Sequence, residues 1–255
     1  MHGCRRLTPL LPDAKQILWG ADGVCQFDVL SSMDSREAAS HVRIVVKPYA
    51  SALPLGCFSF AIGNALYSAF LLHWLPASEH KLLAVTLLSF VAPLESIACW
   101  MAFLSRDTGA ATAMGIFAAS WVAQGVVLLE FGAAPSPTIG VLLINLAVCL
   151  AIILFITYRG KPLLAVVIAF ALLRTGAAAA VELGAKGPFP AIAAGLGFCV
   201  CLSAFYAGLA LLVEDVKGKI MPFTLRSADA ENAMAGSFED QMSHVVNEAG
   251  VRHQL

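Results

Sequence analysis

Two ionisable side chains stand out because of where they fall. Glu95 lies inside LLAVTLLSFVAPLESIACWMAFL and Arg174 inside PLLAVVIAFALLRTGAAAAVELG. Both stretches are long and apolar enough to cross a bilayer, and each charge is close to its stretch's midpoint. A charge at that depth costs at least about 2.5–3.5 kcal/mol on insertion scales, so such residues turn toward a bundle interior or a hydrated path. Opposite sign at similar depth leaves two chemistries open. The charges can pair and lock two helices together, in which case removing one destabilises the other. Alternatively, water hydrates both, Arg174 attracts a carboxylate by charge and bidentate hydrogen bonds, and Glu95 carries a proton. Pro93, two residues before Glu95, has no N–H for the Ser89 carbonyl, which predicts a kink and a freed carbonyl beside the carboxylate. Asn64 is four residues after Phe60 and shares its helical face. Asn145 is suited to an interhelical hydrogen bond.

The elements that must position these groups follow from composition. Hydrophobic residues make up 59% of the 255 residues and charged ones 13%, against roughly 45–50% and 25% in soluble domains. The charges are unevenly placed: 11 between residues 52 and 213, and 22 in the two tails. This is the signature of an all-α integral membrane protein. Three regions follow: a tail at 1–50, a membrane domain at 51–213 and a second tail at 214–255. A formal net charge of -1 and a pI near 6.6 give no basic footprint for nucleic acid.

Six apolar segments of spanning length follow one another: Pro54 to Leu75, Leu82 to Leu104, Gly109 to Phe131, Thr138 to Tyr158, Pro162 to Gly184 and Phe189 to Val213. The breaks between them are LPASEHK, SRDT, GAAPSP, RGKP and AKGP. Basic residues near the membrane ends set the orientation. Arg36, Arg43, Lys47, Arg106, Arg159, Lys161, Lys217, Lys219 and Arg226 share the side of the tails, and only Lys81 and Lys186 face the other. Both termini are therefore expected in the cytoplasm of a cell with this protein in its plasma membrane. The N-terminal tail has no apolar run of signal-peptide type.

Four-residue spacing of small residues, as in Ala111/Gly115/Ala119, Ala193/Gly197 and Ala204/Gly208, predicts close helix packing. His73 and Trp74 read as a boundary anchor, and Glu130 and Glu182 as interfacial charges at the outer helix ends. No Ser/His/Asp set, HExxH, P-loop or dinucleotide fingerprint is present, so an enzyme is not expected, nor a cofactor. The seven cysteines contain no CxxC pair, and a zinc site is not expected.

Three segments resemble the acetate uptake transporters, also called succinate/acetate permeases. SALPLGCFSF (Ser51 to Phe60) is similar to the family's NPAPLG signature followed by an aromatic residue. GAATAMGIFAASW (Gly109 to Trp121) is similar to its third-helix stretch, and SAFYAGLALLVEDVKGKIMP (Ser203 to Pro222) to its sixth helix and exit. The resemblance implies a six-helix protomer with its own pore, a homo-hexamer, and movement of small monocarboxylates or dicarboxylates with protons. It assigns Pro54, Leu55 and Gly56 to an entrance motif. It also implies a hydrophobic constriction at Phe60, Phe117 and either Ala171 or Leu172; the residues themselves, rather than the resemblance, lead to the expectation of a substrate and proton path through Glu95, Arg174 and Asn64. This sequence departs from the pattern at Ser51 and Ala52, at Glu95 where a Gln is usual, and at Arg174 where the position is apolar. A conduit for a small neutral solute and a non-transporting sensor or scaffold remain the alternative readings of the residues.

The basic asymmetry makes a topological prediction. A reporter enzyme fused after Leu255 should be active only in the version that requires the cytoplasm; activity of an export-requiring reporter at that position overturns the orientation.

Overall fold

The computed structural model describes residues 50–105, 107–158, 161–217 and 221–224. Residues 1–49 and 225–255, together with Arg106, Arg159 and Lys219, lie outside the described residues. Six helices are long and apolar enough to cross a membrane. They are α1 (Leu53–Leu71), α2 (Ala77–Leu104), α3 (Thr108–Phe131), α4 (Pro137–Thr157), α5 (Pro162–Glu182) and α6 (Phe189–Lys217). No strand occurs among the described residues. The protein is an all-α, multi-pass membrane protein.

Proline and glycine set the helix ends. Pro54, Pro137 and Pro162 each occupy the first turn of a helix, where an N–H has no intrahelical acceptor and its loss is free. Asp107 caps α3 by accepting from the Ala110 N–H at 3.2 Å. Gly132, Gly184 and Gly187 take positive φ in the loops that follow α3 and α5. The limits differ from the sequence reading at several ends. α1 stops at Leu71, so His73, itself at φ 57°, and Trp74 belong to the loop. α2 begins at Ala77 and takes in His80 and Lys81, while α6 runs on to Lys217.

The expected break in α2 is present in a different form. Residues Leu87–Val91 make a π-turn, with the Ala92 N–H bonded to the Leu87 carbonyl five residues back. The α-helix resumes at Ala92, which puts Pro93 in a first turn where it needs no acceptor. The outside donor goes to Val91, whose carbonyl accepts the Ser59 hydroxyl of α1 at 3.0 Å. The π-turn thus pins α2 to α1 one turn before Glu95.

Going round the bundle, α1 packs on α6, α6 on α5, α5 on α4, α4 on α3, α3 on α2 and α2 back on α1. The six helices form a closed ring. Small residues allow the close seams: the Ala193, Gly197, Ala204 and Gly208 row of α6 is buried, with Gly197 against Ser68 and Gly208 against the Phe58 ring. In the third-helix triplet Ala111 is buried, but Ala119 faces outward. A side chain on Gly63 would lie 2.9 Å from Val91 Cγ1 and 3.2 Å from the Trp121 ring. Glycine there lets α1 lie directly on α2 and on the indole. The outside of the ring is apolar, with Leu82, Ile97, Trp100, Val148, Phe155 and Leu202 exposed, as contact with lipid chains requires. Asn145 is also outward and its amide donates only to Val141 of its own helix at 2.9 Å, so it bridges no helices within the ring.

Overpacking a tight core costs typically about 1–3 kcal/mol. Gly63→Leu should therefore lower the melting temperature of the detergent-solubilised protein by several degrees. Gly176→Ala, where nothing lies within 4 Å of an added Cβ, should leave it within experimental error.

Candidate functional site

Inside the ring, α1 and α3 present facing rows at helical spacing: Phe60, Asn64 and Tyr67 on one, Phe117, Trp121 and Gln124 on the other. Phe60 stacks on Phe117 with ring centroids 4.1 Å apart and planes inclined by 26°. Trp121 lies edge-on to Phe60 at 6.4 Å and tilted against Tyr67 at 6.3 Å. From α5, the Arg174 guanidinium enters between these rows, its carbon 5.2 Å from the Tyr67 ring centre and 5.4 Å from that of Trp121. From α2, Glu95 Oε1 accepts the Trp121 indole N–H at 3.1 Å. Four helices thus converge on one indole.

The two ionisable residues expected to meet or share a path are both buried, Glu95 at 0% and Arg174 at 5% exposure. No ion pair joins them. Trp121 stands between, giving its N–H to Glu95 and a ring face to Arg174. A cation over an aromatic face gains about 2 kcal/mol or more when desolvated, and this attraction consumes no hydrogen bond. Arg174 Nε and Nη2 accordingly have no hydrogen-bond partner among the described residues, nor does Glu95 Oε2. Asn64 donates Nδ2 to the Phe60 carbonyl at 2.8 Å and Gln124 donates Nε2 to the Ser120 carbonyl at 3.2 Å. Because a carbonyl must receive the NH2 group, the unpartnered atoms are the amide oxygens Asn64 Oδ1 and Gln124 Oε1.

The site is layered. At the helical rise, Phe60 and Phe117 sit about 10–14 Å from the tail-side ends of α1 and α3. Asn64, Trp121 and Arg174 follow at about 16–20 Å, and Gln124 at about 24 Å. The stacked pair of phenylalanines therefore lies on the tail side of a polar, partly unsatisfied layer.

Of the other residues singled out in the sequence, Ala171 is buried in the same apolar core and Leu172 is half-buried beside it. Pro54 starts α1. Gly56 is a packing position, where a Cβ would come within 2.6 Å of Met114 Sδ. Leu55 is partly exposed. Glu182 accepts the Ser136 N–H at 2.7 Å and so ties α5 to the start of α4, while Glu130 faces outward. Ser68 is buried but faces Gly197 of α6 rather than the aromatic cluster. At the tail-side end Lys161 pairs with Asp107, joining the first turns of α5 and α3. No cluster of three metal-ligating side chains occurs among the described residues.

Sequence reasoning missed Tyr67 as a partner of Arg174 and Trp121 as the link between the charges. The available signal was spacing: Tyr67 is seven residues after Phe60 and Trp121 four after Phe117, so both share the faces already assigned to a constriction.

Fold and site together define a six-span helical membrane protein with a closed ring of helices around a buried ionisable centre. In three dimensions the chain is similar to the solved structure of the bacterial acetate channel SatP, with a TM-score of 0.62 and 16% sequence identity, over 68% of this chain and 97% of that one. That likeness is one of fold. No protein-family model and no curated protein matches the sequence.

A stacked pair is worth about 0.5–1.5 kcal/mol beyond its buried area, and a narrow apolar neck excludes hydrated ions by dewetting. Phe60→Ala and Phe117→Ala should each raise the leak of protons or small ions through reconstituted protein several-fold. Unchanged leak accompanied by a lower melting temperature assigns the two rings to packing alone.

Proposed function

We propose that this protein is a channel or carrier for small carboxylates, a divergent relative of the acetate uptake transporters. The observation that carries the reading is Arg174, a buried guanidinium held by two aromatic faces with two nitrogens unpartnered. A carboxylate is the planar, two-oxygen anion that this fork matches. The Phe60 and Phe117 neck next to it supports passage of a small, transiently neutral acid rather than a hydrated ion. Ala171 or Leu172 of α5 completes the neck. Glu95, one oxygen held by Trp121 and the other free, is the proton carrier. Pro54, Leu55 and Gly56 begin α1 at the tail-side mouth. The fold likeness to an acetate channel supports the same reading.

The working unit in this proposal is a homo-oligomer, a hexamer in the family it resembles, with one path per protomer in the plasma membrane and both tails in the cytoplasm. Asn145 supports a protomer contact, since an outward amide at mid-span gains from a partner helix what lipid cannot give it.

The decisive experiment is uptake of radiolabelled acetate, succinate and urea into proteoliposomes with and without a pH gradient. The expected result is acid uptake stimulated by inward protons and no urea uptake. Arg174→Gln should raise the KM for the acid at least about tenfold, the cost of a lost charged hydrogen bond. Glu95→Gln should abolish the response to the pH gradient while leaving downhill flux. Urea uptake without acid uptake overturns the carboxylate reading in favour of a neutral-solute conduit, and flux of neither supports a sensor. Single mutants that misfold, together with a Glu95→Gln/Arg174→Gln double mutant that restores proton-coupled transport, make the two charges structural.

A further inference from the structure

The unpartnered atoms of the polar layer are not all of one kind. Arg174 Nε and Nη2 are donors, which a carboxylate satisfies. Asn64 Oδ1 and Gln124 Oε1 are acceptors, which a carboxylate cannot satisfy and would repel. Asn64 is fully buried and Gln124 is 4% exposed. Each NH2 group is bonded to its own helix's carbonyl, Phe60 and Ser120 respectively, which leaves the amide oxygens as the unpartnered atoms.

Position ties these acceptors to the guanidinium. Asn64 lies between Phe60 and Tyr67 on the face of α1 that meets Trp121, and Arg174 stands over Tyr67. Counted from the tail-side ends, Asn64 and Arg174 differ in height by one residue, about 1.5 Å. Gln124 is three residues beyond Trp121 on the same face of α3, one turn farther out. A solute seated on Arg174 therefore meets a fixed carbonyl acceptor at the same level and a second one on its way in or out.

Resting on the carboxylate reading above, we propose that the site selects acids that also carry a hydrogen-bond donor next to the carboxylate, that is, short 2-hydroxy carboxylates. Arg174 takes the carboxylate and Asn64 Oδ1 accepts the substrate hydroxyl, with Gln124 Oε1 as the outer acceptor. A hydroxyl fits better than an ammonium at these two positions. Both acceptors are neutral amides, and a neutral donor gives up its water at far lower cost than a cation does. An acid with a methyl in place of the hydroxyl leaves Asn64 Oδ1 buried and unpaired, and a site built to bond a hydroxyl discriminates strongly against such an analogue.

Glycolate and propionate make the test, since they have the same number of heavy atoms and differ by hydroxyl for methyl. Uptake of each labelled acid into proteoliposomes containing the full chain should give a KM for glycolate at least about tenfold below that for propionate. Asn64→Leu should erase that ratio by weakening glycolate more than propionate. An unchanged elution profile and melting temperature of the purified variant report intact folding. Gln124→Leu should narrow the ratio by a smaller factor. Glycine serves as the ammonium-bearing comparison, and its preference over glycolate overturns the hydroxyl assignment. Equal KM values for glycolate and propionate in the unaltered protein, or an unchanged ratio in Asn64→Leu, overturn the inference while leaving a carboxylate path standing. Uptake of neither acid overturns the path and the inference together.

Discussion

The structure turns on how a guanidinium can be buried without a carboxylate. A direct Glu95–Arg174 pair would offset the desolvation of both charges, and it would also occupy their donors and acceptors. Two ring faces avoid this. The attraction of a cation to the Tyr67 and Trp121 quadrupoles is electrostatic and has no donor to satisfy, so Arg174 Nε and Nη2 stay unpartnered. The same indole then gives its one N–H to Glu95. Trp121 holds both charges apart and in place.

Much of the surrounding architecture serves to bring that indole to the centre. Gly63 clears the face of α1 it lies on, and the π-turn of α2, pinned by Ser59 to Val91, sets the helix turn that carries Glu95. A regular α-helix through Leu87–Val91 would rotate every later side chain of α2 by about 100° relative to the π-turn, because one residue fewer would occupy the turn. Glu95 would then point away from Trp121. Pro93 makes the irregular turn tolerable, since it sits where the resumed helix has no use for its N–H.

The spans, their number and their order were legible from hydropathy, because every backbone group in lipid must be satisfied within a helix. So were the two central charges, which the cost of burial marks out in any apolar segment. The π-turn was only half legible. Pro93 announces a break, but whether a helix kinks or inserts a residue depends on the helix packed against it, and Ser59, whose hydroxyl donates to the Val91 carbonyl, is 32 positions away. The role of Trp121 was hidden for a related reason. A tryptophan near the middle of an apolar helix reads as filler until the facing helices are known. Asn145 was legible as a hydrogen-bonding amide at mid-span, but its outward direction depends on how α4 packs in the ring.

The contrast with Asp107 and Lys161 shows what a structural pair looks like in the same molecule. Those two meet directly at the tail-side end, and Asp107 in addition caps α3 through the Ala110 N–H. Their side chains remain 14% and 20% exposed, so water shares the cost of bringing the charges together. Every feature there favours fixing two helix ends. Glu95 and Arg174 differ on each count: they are buried more deeply, kept from contact by an aromatic ring, and left with unpartnered atoms on both sides. Had selection needed only to join α2 to α5, a well-packed apolar pair would have done so at lower cost than two separated charges. In the proposed carboxylate path, a passing anion supplies the hydrogen bonds that Arg174 Nε and Nη2 lack.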